Sequence, residues 1–148
     1  MAGGSGTRLS PVSNAANKHI LPVYNKPLIF YSLSILLQNN IRNILIIVGL
    51  GQSSQFKKIL PENNNLGIKI KYLEQKKPKG LPDAFIIGKN FIKNDKVALI
   101  LGDNIFLSKN YSNIIFNDSK FLTGARIFLF PVKNPRMFGV AKINNKKK

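Results

Sequence analysis

The apolar positions of this chain fall into two kinds of short run that alternate along its length. "LIFYSLSILLQNN" (28–40) places apolar residues at helical spacing, whereas "RNILIIVG" (42–49) is a nearly continuous apolar run, the pattern of a short strand covered on both faces. "SQFKKIL" (54–60) reads as a short helix, "IKIKYLE" (68–74) alternates like a strand, and "PDAFIIGKNFI" (82–92) reads as a helix whose first turn accommodates Pro82. "KVALILGDN" (96–104) repeats the buried-strand pattern. A weaker helix near 110–118, a strand over 126–133 and a strand fragment at "GVAKI" (139–143) complete the series. Strands alternating with helices predict an α/β fold with a doubly wound, mostly parallel sheet. Linkers are short and no repeat or internal boundary interrupts the 148 residues, so a single domain, 1–148, is expected.

Composition changes this picture little. No apolar stretch approaches the roughly 20 residues of a membrane span, and no charged n-region with an apolar h-region opens the chain, so a cytoplasmic protein is expected. There is no cysteine, which excludes disulfides and thiolate metal sites. The formal net charge of +17 would attract any polyanion. A nucleic-acid-binding module, however, calls for clustered Lys and Arg interleaved with stacking aromatics. Here the lysines are scattered among Asn and Ile, and the one dense run is Lys146 to Lys148. Tyr24, Phe30, Tyr31, Phe85 and Phe91 fall at positions consistent with core packing.

Two segments carry chemistry. In "AGGSGTRL" (2–9), Gly3, Gly4 and Gly6 permit a tight turn whose N–H groups can point inward at an anion, and Arg8 lies just beyond with a planar fork suited to phosphate. The spacing matches neither G-x-G-x-x-G nor the P-loop, and a glycine-rich turn can equally be only a turn. In "LILGDN" (99–104) an apolar strand runs into Asp103, at the sheet edge where α/β folds collect ligands, placed either to hold Mg²⁺ against substrate phosphates or to cap the following turn. Lys18 is a second phosphate contact or one more solvated lysine. His19, the single histidine, has no Cys, Asp or Glu at ligand spacing, so no metal site is expected there.

Taken together, "AGGSGTRLSPVSNAANKHILPVYNKPLIFYSLS", "KGLPDAFIIGKNFI", "LILGDNIF" and "PVKNPRMFGV" resemble, in order and spacing, the amino-terminal half of the glucose-1-phosphate thymidylyltransferases, a family of sugar nucleotidyltransferases. The resemblance implies reaction of dTTP with glucose 1-phosphate to give dTDP-glucose and pyrophosphate, with Mg²⁺ as cofactor, in dTDP-rhamnose biosynthesis. It implies that Gly3, Gly4, Ser5, Gly6 and Thr7 surround the nucleotide phosphates and that Arg8 assists departure of pyrophosphate. It makes Lys18 a phosphate contact, Gln75 and Gly80 readers of the thymine base, Asp103 the metal ligand, and Asn104 and Gly139 sugar contacts. Arg8, Lys18 and Asp103 are the implied catalytic set.

Against that pattern Pro82 and Asp83 stand where Ala and Gln are common, and Lys142 where an acidic residue is usual. Family members begin with a few more residues, which form the strand before the glycine loop. The expected domain therefore lacks that first strand and the C-terminal half, with a second metal-binding aspartate and a Glu-Lys-Pro sugar-binding segment falling past residue 148. The relatives form homo-oligomers partly through those elements. An inactive fragment of such an enzyme is the alternative to an active one, and a basic nucleic-acid-binding module is the remote third.

Overall fold

The computed structural model describes residues 1–3, 16–77, 79–106 and 122–143. A one-turn 3-10 segment, Lys18–Ile20, leads into the antiparallel pair β1 (Pro22–Val23) and β2 (Lys26–Pro27). Helix α1 (Leu28–Gln38) follows, then β3 (Asn43–Gly49), α2 (Ser53–Ile59) and β4 (Lys69–Gln75). Strands β3 and β4 pair in parallel from Asn43↔Lys69 to Gly49↔Gln75, joined by α2 as crossover. Ala2 adds a parallel bridge to Val48 on the other side of β3.

Side-chain alternation along β3 sends its two faces to different helices. Ile44, Ile46 and Val48 join Ile29 and Leu33 of α1, Phe56 of α2, and Leu60, Ile68, Ile70 and Tyr72 in one buried cluster. Leu45 faces the opposite layer, where the chain forms α3 (Asp83–Ile87) and α4 (Lys89–Ile92). The single helix expected over 82–92 is thus two, divided at Gly88. A Cβ at Gly88 would lie 3.0 Å from both the Ala84 carbonyl oxygen and Leu45 Cδ2, so the bare glycine lets the break press against the sheet. Helices on both faces of a parallel pair bear out the doubly wound α/β expectation.

Three expectations need correction. Residues 96–101 approach the sheet but join no ladder among the described residues: the Met1 nitrogen donates to Ile100 O (2.7 Å) and Gly102 N donates to Met1 O (2.8 Å), which tie the segment to the entrance of the glycine-rich loop. Val97 and Leu99 are consequently half-exposed, and a groove of about 320 Å³ runs between β3 and this segment, lined by Leu45, Ile47, Phe91, Ile92, Ala98 and Ile100. The segment 126–133 likewise forms no strand among the described residues, with Ile127 71% and Phe130 80% exposed, and neither does "GVAKI". Finally, Tyr24 is not a core residue but is 94% exposed at the tip of the β1–β2 turn, with φ 60, and Phe85 is also exposed. The helix expected near 110–118 lies outside the described residues.

Candidate functional site

The carboxyl ends of β3 and β4, the residue entering the glycine-rich loop and the 101–104 turn meet at one edge of the sheet. Ala2 N donates to Ile47 O at 2.7 Å, which fixes Gly3 beside the end of β3. A Cβ on Gly3 would stand 3.3 Å from Gln75 Oε1 and 3.5 Å from Gly49 N, so a side chain here would press on the Gln75 amide and the end of β3. Across the same edge, the Gly102 bond to Met1 O places Asp103 next to the start of the loop. Gly4, Ser5, Gly6, Thr7 and Arg8 lie outside the described residues.

Lys18 Nζ and Asp103 Oδ2 form an ion pair at 2.5 Å, with both side chains partly exposed. Burial pushes the Asp103 carboxyl upward, but the hydrogen bond and charge of Lys18, helped by His19, outweigh it and hold the group below the usual carboxylate range. Asp103 is therefore an ionised oxygen donor already matched to a cation.

Three residues unmarked in the sequence hold this pair in place. Asn17 is buried, and its Oδ1 accepts from His19 N (2.9 Å) and faces His19 Nδ1 (2.6 Å). Its Nδ2 donates to Gln52 Oε1 (2.8 Å) and Ala2 O (3.3 Å), so one amide ties the loop entrance to the turn carrying Lys18. Because Nδ2 faces two oxygens, Oδ1 must face His19, and Nδ1 of the ring carries the proton. His19 itself is buried, tilted against Phe56, and a Cβ at Gly102 would reach within 2.7 Å of its Cδ2, so Gly102 is needed where the turn passes the ring. Ser32 of α1 is the third: its Oγ lies 2.8 Å from Leu101 O and 3.0 Å from Asn104 O, pinning both sides of Asp103. The one available signal was Asn17 before a short turn, a capping residue type. A Ser inside an amphipathic helix carries none.

The remaining positions divide. Gln75 is buried at the end of β4, and its Nε2 donates to Asp83 Oδ2 at 2.7 Å. Gly80 has φ +89, in the left-handed region glycine favours, in the loop between β4 and α3. The Asn104 backbone is held by Leu101 and Ser32. Gly139 is not brought into this cluster by any described contact: a Cβ there meets nothing within 4 Å and its neighbours are exposed. Among the described residues no group of three or more His, Cys, Asp or Glu is assembled for a metal ion.

A polar cluster at the carboxyl edge of a parallel sheet, with helices on both faces, defines an α/β domain of the class that binds nucleotides there. The chain belongs to the nucleotidyl transferase family, whose model matches residues 1–148. It is 45% identical over 144 residues to the glucose-1-phosphate thymidylyltransferase of Neisseria meningitidis and 40% identical to that of Mycolicibacterium smegmatis, in each case over 97% of this chain and 50% of the relative. The chain thus spans about half the length of the curated relatives it matches. A Bacillus anthracis protein assigned as a glucose-1-phosphate thymidylyltransferase, solved with sucrose, superimposes with a TM-score of 0.89 at 35% identity, over 99% of this chain and 59% of that one. A UDP-glucose pyrophosphorylase complexed with UDP-glucose gives 0.64 at 26% identity, over 80% of this chain and 50% of that one.

Proposed function

We propose that the chain carries the nucleotide-holding part of a thymidylyltransferase site, in which glucose 1-phosphate attacks the α-phosphorus of dTTP to give dTDP-glucose and pyrophosphate. The observation that carries this reading is the convergence of Gly3, Lys18, Gln75 and Asp103 on one sheet edge. Its chemical support is that phosphoryl transfer asks little covalent work of a protein and much positioning and charge neutralisation.

In this reading Lys18 neutralises phosphate charge, and Gly3 to Thr7 wrap the phosphates with backbone N–H groups. Arg8 assists the departing pyrophosphate, Gln75 and Gly80 face the base, and Asn104 and Gly139 face the sugar. Mg²⁺ commonly takes one or two carboxylates and completes its shell with waters and substrate phosphates. A single ionised Asp103 fits that habit, and Asp103 would hold the ion. When bound, Mg²⁺ supplies further neutralisation of phosphate charge. With the Asp103 carboxylate holding the ion, Lys18 would be free to meet the phosphates. A nucleoside triphosphate substrate places the activity in the cytoplasm. Among the described residues no helix is long and apolar enough to cross a membrane.

Calorimetric titration with the four deoxynucleoside triphosphates in the presence of Mg²⁺ tests the reading. Tighter binding of dTTP than of the other three is the expected outcome. Equal affinity for all four would mean that the net positive charge, and not a pocket, does the binding.

A further inference from the structure

Gln75 and Asp83 form a pair whose polarity has only one solution. Asp83 Oδ2 accepts from Gln75 Nε2 at 2.7 Å, while Gln75 Oε1 is turned towards Gly3, 3.3 Å from where a Cβ would stand. The two ends of a glutamine amide are alike in shape but opposite in hydrogen bonding, and an ionised carboxylate can only accept. A partner able both to donate and to accept would be satisfied by either orientation of the amide. Asp83 is satisfied by one.

We propose that Asp83 is a specificity-determining positioning residue, which locks the Gln75 amide so that its oxygen, with the second Nε2 proton beside it, is the edge left to meet a base. That edge complements a pyrimidine ring bearing an N–H next to a carbonyl, as at N3 and O4 of thymine. It opposes cytosine, whose N3 is itself an acceptor. The inference rests on the reading of Gln75 as a base contact and adds to it the residue that sets the direction of that contact.

The two pyrimidines are of equal size, so the ratio of dCTP to dTTP dissociation constants, measured by calorimetry with Mg²⁺ on the full chain, isolates the effect. Asp83→Asn is nearly isosteric but can donate, and Asp83→Ser can donate or accept. Each is expected to lower the preference for dTTP about tenfold by freeing the amide to turn over. Should one variant fail to fold, the other carries the test. The Gln75 side-chain amide resonances of the nucleotide-free protein are expected to move in either variant. Equal weakening of both nucleotides at an unchanged ratio would reduce Asp83 to a structural role and overturn the proposal. Gln75→Ala separates the two levels of inference. If it leaves the ratio unchanged, the base-reading role itself fails, and the proposal with it. If it abolishes the preference while the Asp83 variants keep it, only the positioning role fails.

Discussion

His19 is kept neutral by where it sits. Burial first, and then the Lys18 charge, lower its imidazole from 6.5 to about 4, with Asp103 pulling weakly the other way. Between those values the unfolded chain binds the proton and the folded one does not, so stability is complete above the unfolded value and falls as the pH drops through the window, by up to roughly 3 kcal/mol. Urea midpoints measured from pH 7 down to pH 4 should fall accordingly, and His19→Gln should flatten that slope even if it lowers the whole curve. Persistence of the slope in the variant would assign the titration elsewhere. Below this window the sign is unchanged but the groups differ. Asp103 is held low against burial by Lys18, and Glu74 is held low by Ser53 Oγ and the Gly51 and Ser53 amides. Both stabilise above the ordinary carboxylate range and lose that contribution as the folded groups take up protons. Of these residues, the sequence patterns alone single out Asp103, by its place after an apolar run. Lys18 emerges only through family resemblance, Asn17 only as a capping residue type before a short turn, and Ser32 and Gln52 not at all. A buried polar side chain satisfied by distant backbone looks in sequence like any surface residue, because its partners are set by the tertiary fold.

Helix α1 joins the core to the site. Its apolar face, with Ile29 and Leu33, packs on β3, while Ser32 between them reaches the turn that presents Asp103. Ser32→Ala should cost about 1–2 kcal/mol, since carbonyls that shared a buried hydroxyl lose it. Urea denaturation reads the loss, and unchanged stability would show that the tether is idle. Elements with a strong local pattern were legible to within a residue or two: α1, β3, α2 and β4 all lie where the apolar periodicity puts them. The failures share one cause. An apolar run states that a segment wants burial but not which backbone it will pair with, and 96–101 and 126–133 both remain outside the described ladders. Gly88 divides 82–92 through its fit against Leu45, a contact that no local spacing encodes.

At the scale of the molecule, one parallel ladder carries helices on both faces and gathers its polar residues at one edge, while Phe128, Phe130, Phe138 and Ile143 beyond it stand exposed. The groove along β3 gives that strand two unlike sides. Arg42 O accepts from Lys69 N, and Ile47 O accepts from Ala2 N, so even-numbered residues turn their peptide groups to β4 and odd-numbered ones turn theirs the other way. The amides of Ile44, Ile46 and Val48 thus point into the ladder, and those of Leu45 and Ile47 point into the groove. In heavy water β3 should behave as two interleaved clocks. Deuterium should enter at Leu45 and Ile47 through small local fluctuations, whereas at Ile44, Ile46 and Val48 it should wait for the strands to part. Residue-by-residue exchange followed by NMR would show the alternation, and uniform protection along Asn43–Gly49 would mean that the open side of the strand is closed to solvent.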